Sequence, residues 1–438
     1  MIISLTDNIA IIMDASPKCN NWKLYGLLVF IVLMTSCRPD SSLDNAGAPD
    51  NESLVVLVSG AKKPMPGQWI DQDTGHKVVR LVKRSGENRS FYFHNRPFLP
   101  AKSGDAWLMI FYGSTDTGWQ LFSVDLQTGK IEQLTNSPGD KRGEIVAPQT
   151  RKVFYMQGDS VLSTHVDSRE TELIYEFDND IIGSVTTVNA DETLLGGALI
   201  TKKEREILKQ YPQKSDFFER IYYAKLQRSL IVIDITHGEM TKVHTEKAWL
   251  NHIQFSPTDP DLLMYCHEGP WHLVDRIWNI NIKTKENRLM HSRTVPREIA
   301  GHEFFSHDGQ YIWFDLQIPR GETFYLAKRA VYSDETARYA LKRNQWSIHF
   351  NLSTDQGFFA GDGGDPSQVA EANDGMWLYL FNTMGDSLTS EKLVNMKNHD
   401  YELEPNVHFS PDDRWVIFRA NFEGTTQIYA VEIEKTSI

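Results

Sequence analysis

From residue 54 onward, apolar residues come in short runs separated by turn residues rather than in stripes of helical period. The runs Trp107–Tyr112, Trp119–Asp125, Leu230–Asp234, Tyr311–Phe314 and Trp415–Phe418 are dominated by aromatic and β-branched side chains. Such runs, bounded by Gly, Pro, Asp, Asn and Ser, read as β-strands. One unit recurs: a strand, a turn of Ser-Pro-Asp type, a second strand, then a strand ending in Asp with a Thr-Gly-like turn. Phe255-Ser256-Pro257, Phe305-Ser306-His307-Asp308-Gly309 and Phe409-Ser410-Pro411-Asp412-Asp413 carry the first turn. Asp125-Leu126-Gln127-Thr128-Gly129 and Asp234-Ile235-Thr236-His237-Gly238 carry the second. A period of about 50 residues with about four strands per unit is the signature of a β-propeller. Unit starts near residues 100, 145, 187, 252, 302, 348 and 408 predict an all-β, seven-bladed β-propeller. The strand-like stretch His76–Val82 is expected to complete the last blade and close the ring. Each blade would bury both faces against its neighbours, so residues 56–438 are expected to fold as one domain. Lys202–Tyr223 breaks the pattern, being charged and helix-favouring. It predicts a short helical insertion, read as a solvated surface helix, with a lid as the alternative.

The N-terminus has a different composition. Lys18 and Lys23 precede the apolar run Leu24–Met34, which has the length of a signal-peptide core and is short for a spanning helix. The run ends in Thr35-Ser36-Cys37, which resembles a bacterial lipobox, with Met34 where Leu is usual. Residues 1–37 therefore read as a leader and Cys37 as a lipidation site, the alternative being a plain cleaved signal peptide. Met13 offers a second start. Residues 38–55 are rich in Asp, Ser, Asn, Gly and Pro and read as a flexible tether. The expected location is the periplasm or cell envelope, with membrane contact only through the lipid anchor. Of three cysteines, only Cys266 lies in the folded part, so no internal disulfide is available there.

A net charge of −13 argues against nucleic acid or an anionic membrane surface as partner. An acidic sugar stays open, given a local basic pocket. The 11 Trp, 16 Tyr and 22 Phe suit a β-rich core and also sugar stacking. Candidate chemistry is densest in Trp249–Phe305, which holds His252, Cys266-His267-Glu268-Gly269-Pro270, Asp275-Arg276 and His302-Glu303. His, Glu and Asp are the side chains that bind metals and move protons. His252, His302, His349 and the Glu404-Pro405-Asn406 group occupy one repeat phase, which would aim them at a common central funnel. A single strand histidine is more often a satisfied structural residue; several at one phase are harder to explain that way. The same turns fit a non-catalytic propeller that binds glycans or proteins, like those associated with TolB.

Trp249-Leu250-Asn251-His252, Cys266-His267-Glu268-Gly269-Pro270 with Leu273-Val274-Asp275, and His302-Glu303-Phe304 resemble the oligogalacturonate lyases, polysaccharide lyase family 22. So do Asn88-Arg89-Ser90-Phe91-Tyr92, Gly361-Asp362-Gly363-Gly364-Asp365 and Asn421-Phe422-Glu423-Gly424. The likeness runs from about residue 70 to the C-terminus. It implies a seven-bladed propeller that cleaves short uronate oligosaccharides by β-elimination with a divalent metal, usually Mn²⁺. By the same resemblance His252 matches the base, Arg228 the substrate-binding arginine and His302 a metal ligand. Arg89, His267 and Arg276 are further candidate contacts to the acidic oligosaccharide. The family carries a Gln and a His-x-His pair in the last blade, where this chain has Glu404 and Asn406. Those oxygens would harden the site toward Ca²⁺ or Mg²⁺ with Mn²⁺ still open, and His349 or Gln345 would enter the shell in compensation, the alternative being loss of the metal. A monomer is expected.

Overall fold

The computed structural model of the protein describes residues 54–435, apart from 103, 105, 179 and 386. The expected leader, its Cys37 and residues 38–53 of the tether lie outside the described residues. The described chain is almost entirely β, with two α-helices. Strands follow one another as antiparallel four-stranded meanders. Arg142–Ala147, Lys152–Gln157, Ser160–His165 and Thr171–Glu176 form one; Ile182–Val188, Leu194–Ile200, Arg228–Asp234 and Glu239–Glu246 form the next. Trp249–Phe255, Leu262–Glu268, Ile277–Asn281 and Asn287–Leu289 form a third. An eight-stranded sheet is two such meanders, starting at Ile299 and Phe350, joined by the parallel bridge Ala340↔Ser387. The C-terminal strand Gln427–Glu432 pairs antiparallel with the N-terminal strand Lys77–Arg80, with Val78 opposite Val431.

The two predicted turn types are built by side chains. Ser306, Ser353 and Ser410 each donate Oγ–H to the Asp two residues on and accept the backbone N–H five residues on. These bonds supply partners to backbone groups that the tight turn takes out of the ladder. In the second type, Asp125 and Asp234 accept two backbone N–H groups and Gly129 or Gly238 follows with φ of 71° or 65°. That left-handed position is one that glycine takes without a Cβ clash.

The core lies between meanders, not inside any one of them. Ile145, Phe154 and Val161 pack on Val185, Leu195 and Ile231, and Leu230, Val232 and Val243 pack on Leu250, Leu263 and Tyr265. Each fully buried Val, Leu, Ile or Phe contributes about 1.5–3 kcal/mol, which is why strands such as Leu230–Ile233 are apolar on both faces. First strands of neighbouring meanders touch: Arg142–Ala147 with Ile182–Val188, that strand with Trp249–Phe255, and Phe350–Leu352 with His408–Phe409. Side chains aimed out of these strands therefore meet.

The insertion corrects one expectation. It is a pair of helices, Lys202–Gln210 and Lys214–Ala224, and it is not simply solvated. Thr201 caps the first helix by accepting the Glu204 N–H at 3.2 Å, and Lys225 ends the second at φ 45°. Leu208, Phe217 and Ile221 form a buried stripe packed on Trp249. The charged residues that made the segment look solvated occupy the other faces, except for Glu204, which is fully buried.

Candidate active site

Three first strands carry a β-bulge at one phase. Pairing jumps from Asn251↔Cys266 to Gln254↔Met264, and from Gly301↔Asp315 to Phe304↔Trp313. His252 and His302 stand in these jumps with left-handed φ of 47° and 52°. The strand Arg142–Ala147 shows the same irregularity, with Glu144 at φ 56°, and Asn406 takes φ 49° ahead of His408–Phe409. Glu144, His252, His302 and Asn406 each precede Ala147, Phe255, Phe305 and Phe409 by the same interval, and His349 precedes Leu352 likewise. A bulge residue is re-aimed out of the pleat. Holding a non-glycine residue in the left-handed region costs about 1–3 kcal/mol and persists where the surroundings fix it. Several such residues at one phase mark a built centre.

The segment Phe91–Asn95 crosses this centre. The Tyr92 N–H donates to Glu144 Oε2 at 2.7 Å, and the Phe93 N–H donates to Asn406 Oδ1 at 2.9 Å. Asn351 Nδ2 donates to the Phe93 carbonyl at 2.9 Å, and His408 Nε2 lies 3.2 Å from the Tyr92 carbonyl. Its rings then contact the histidines. Tyr92 lies 6.0 Å from His252 and 5.0 Å from His349, centroid to centroid, and Phe93 stacks on His349 at 4.6 Å. His302 and His349 are 4.9 Å apart.

His252 is held between two carboxylates. Glu303 Oε1 lies 3.7 Å from Nδ1 and Glu268 Oε2 lies 3.9 Å from Nε2, both beyond hydrogen-bond length. Nδ1 finds no hydrogen-bond partner among the described residues. Arg276 ties the carboxylates together, donating to Glu268 Oε1 at 2.9 Å and to Glu303 Oε2 at 2.8 Å. Burial pushes the His252 pKa below the ordinary imidazole value, and Arg276 adds to this while Glu303 and Glu268 oppose it. Burial works against ionising Glu268, yet the Arg276 guanidinium holds its carboxyl well below the usual range. The result is a neutral imidazole beside an ionised Glu268, the arrangement a proton acceptor needs near pH 7.

His349 is oriented by Asp362, whose Oδ2 lies 2.8 Å from Nδ1, so that Nε2 faces Glu404 Oε2 at 3.7 Å. Burial lifts the Asp362 pKa to about 7. Burial, with His349 and Arg276 nearby, keeps His302 well below the ordinary value, and its Nδ1 has no hydrogen-bond partner among the described residues.

The other candidates sit further out. Arg228 is buried and engaged: Nε donates to Glu204 Oε2 at 3.1 Å, Nη2 also meets Glu204, and Nη1 donates to the Leu250 carbonyl at 2.7 Å. It lines a cavity with Trp249, Tyr222, Lys225, His267 and Glu268, under the helical insertion. His267 bonds Glu246 at 2.6 Å and stacks on Trp278, so it serves that cavity rather than the His252 group. Arg89 lies over the Trp119 ring at 5.2 Å, one turn of chain from Tyr92.

A family model described as oligogalacturonate lyase matches residues 66–437. The chain belongs to the oligogalacturonate lyase family. These are oligosaccharide lyases. The oligogalacturonate lyase of Dickeya dadantii strain 3937 is 27% identical over 391 residues, spanning 83% of this chain and 95% of the relative. The oligogalacturonide lyase of Pectobacterium atrosepticum is 25% identical over 396 residues, spanning 86% and 98%. The crystal structure of the Vibrio parahaemolyticus oligogalacturonate lyase superposes with a TM-score of 0.72 at 25% identity, covering 84% of this chain and 96% of that one. An oligogalacturonate lyase in complex with manganese gives the same TM-score at 24% identity, covering 86% and 99%.

The oligogalacturonate lyase family implies a divalent metal, and the donors here fit one in part. His302 lies 4.9 Å from His349, centroid to centroid, His349 Nε2 lies 3.7 Å from Glu404 Oε2, and Asp362 backs His349 as carboxylates back metal-binding imidazoles. Asn406 stands beside them, its Oδ1 accepting from the Phe93 N–H and its Nδ2 donating to the Glu404 carbonyl at 3.2 Å. Among the described residues no group of three or more His, Cys, Asp or Glu side chains is already gathered for a metal. Sequence reasoning assigned no site role to Glu144, Tyr92, His94, Asp362 or Glu204. Glu144 could have been found, since a unit start near 145 puts it at the phase of His252. Tyr92 and Glu204 lie outside the repeat, so phase carries no signal for them.

Proposed function

We propose that the protein cleaves short uronic-acid oligosaccharides, such as oligogalacturonides, by metal-assisted β-elimination, leaving an unsaturated uronate. The carrying observation is a neutral His252 fixed between Glu268 and Glu303 at the meeting point of the first strands. The C5 proton of a uronate is only weakly acidic, so its removal needs a positioned base and a stabilised carboxylate. His252 takes that proton, flanked by the Glu268–Arg276–Glu303 frame. Bound near His302, His349 and Glu404, a divalent cation would supply positive charge to the carboxylate and its enolate-like form. The manganese complex of a family member favours Mn²⁺, while the carboxylate donor leaves Ca²⁺ and Mg²⁺ open. For Arg228 to pair with a substrate carboxylate, Glu204 must give way. Arg89 and His267 are assigned to outlying sugar contacts.

The meanders are read as seven blades, and the Val78↔Val431 pairing supports closure of the ring by the N-terminal strand. Residues 56–438 form this lyase domain, tethered by residues 38–55 to a lipidated Cys37 in the cell envelope, as a monomer. Mass spectrometry of the products from a trigalacturonate tests the reaction. Elimination adds no water, so product masses sum to the substrate mass; products that sum to the substrate plus one water would mean hydrolysis and sink the proposal.

A further inference from the structure

We propose that Tyr92 is the general acid that protonates the departing O4 as His252 removes the C5 proton. The inference rests on the lyase reading and completes it. Elimination breaks C4–O4 and leaves the electron pair on a sugar oxygen, a poor leaving group unless a proton arrives with it.

Tyr92 is placed for that task by groups from two parts of the fold. Its N–H is bound by Glu144 and its carbonyl lies against His408, so the backbone on both sides of the ring is fixed. The side chain is 5% exposed and projects between the two central histidines, near edge-on to both, at 75° to His252 and 80° to His349. The ring thus lies against two of the central histidines. A tyrosine phenol, with an ordinary pKa of about 10, carries its proton at neutral pH. The other side chains there are spoken for. Glu268 and Glu303 are bound to Arg276, and His302 and His349 are assigned to the cation.

The step balances. The C5–H bond breaks, its proton goes to the His252 imidazole, and its electrons form C4=C5. The C4–O4 bond breaks, and O4 takes the Tyr92 proton. The imidazolium then returns its proton to the phenolate beside it, directly or through water, and the site is reset.

The test compares two leaving groups. On an oligogalacturonide, Tyr92→Phe is expected to lower kcat by about 100-fold or more, with KM little changed. On a galacturonate whose O4 carries a nitrophenyl group, which leaves without a proton, the same variant should stay within about 3-fold of wild type, because acid catalysis has nothing to add. Equal losses on both substrates, or wild-type kcat on the oligosaccharide, would overturn the assignment. If wild type makes no unsaturated product from either substrate, the lyase reading itself fails. Should the variant not fold, fluorotyrosine at position 92 keeps the ring and acidifies the phenol. A changed kcat on the oligosaccharide alone then supports the role, and unchanged kcat on both substrates overturns it.

Discussion

Arg228 and Glu204 form a buried ion pair across the fold, with Arg228 on the strand Arg228–Asp234 and Glu204 on the inserted helix. Both are largely shielded from water, with side-chain exposures of 8% and 0%. The pair fastens the insertion to the body, and it also occupies the arginine that family resemblance gives to substrate.

Removing one partner strands the other charge. Glu204→Ala should cost about 3–5 kcal/mol in denaturant unfolding, whereas Arg228→Met with Glu204→Leu should recover most of that loss. A near-neutral Glu204→Ala would mean the pair does not hold the insertion.

The pH dependence of catalysis should follow the surroundings of His252. Its pKa is lowered, so the neutral base persists below the usual imidazole range and kcat/KM should fall only at acid pH under that range. Glu303 raises that pKa, so Glu303→Gln should move the acid limb lower still. A limb that moves upward, or not at all, would detach Glu303 from the base.

Asp362 orients His349 while accepting the His349 and Asn406 N–H groups at 2.8 and 3.3 Å. Asp362→Asn puts an amide N–H against those donors. Divalent-cation affinity, read by calorimetric titration, should fall about 10–100-fold, as for other outer-shell carboxylates. Unchanged affinity would place the cation away from His349.

Acid stability has a separate origin. Burial holds His399 and His408 down to about 4, so both are neutral in the folded protein. The unfolded chain takes these protons first, near an ordinary pKa of about 6.5. The contribution is therefore fully present above that pH and is lost as pH falls toward 4. Unfolding midpoints in denaturant should decline through this window, and His408→Asn should flatten the decline. An unflattened curve would contradict the assignment.

Much of the architecture is legible in the sequence because each unit repeats one physical solution. The Ser-x-Asp turn, the Asp-turn-Gly corner and the doubly buried strand recur, and starts near 252, 302, 348 and 408 fall at observed first strands. Repeat phase also brings His252, His302 and His349 to one centre. What phase does not encode is how side chains are already used. Asn406 shares the phase of the two bulge histidines, and its amide already bonds the Phe93 N–H and the Glu404 carbonyl. Arg276 looks like a basic contact for an acidic sugar, yet its guanidinium is closed between two carboxylates. Tyr92 comes from a connecting segment with no counterpart in other units, so only the three-dimensional path shows that it meets His252 and His349.

The most direct measurement follows ultraviolet absorbance of the unsaturated uronate as purified protein, supplied with Mn²⁺, acts on short oligogalacturonides, beside His252→Ala. The account predicts a steady rise for wild type and a rate at least about 100-fold lower for the variant, since the positioned base is lost. No rise with wild type, or an equal rise with both proteins, would contradict it.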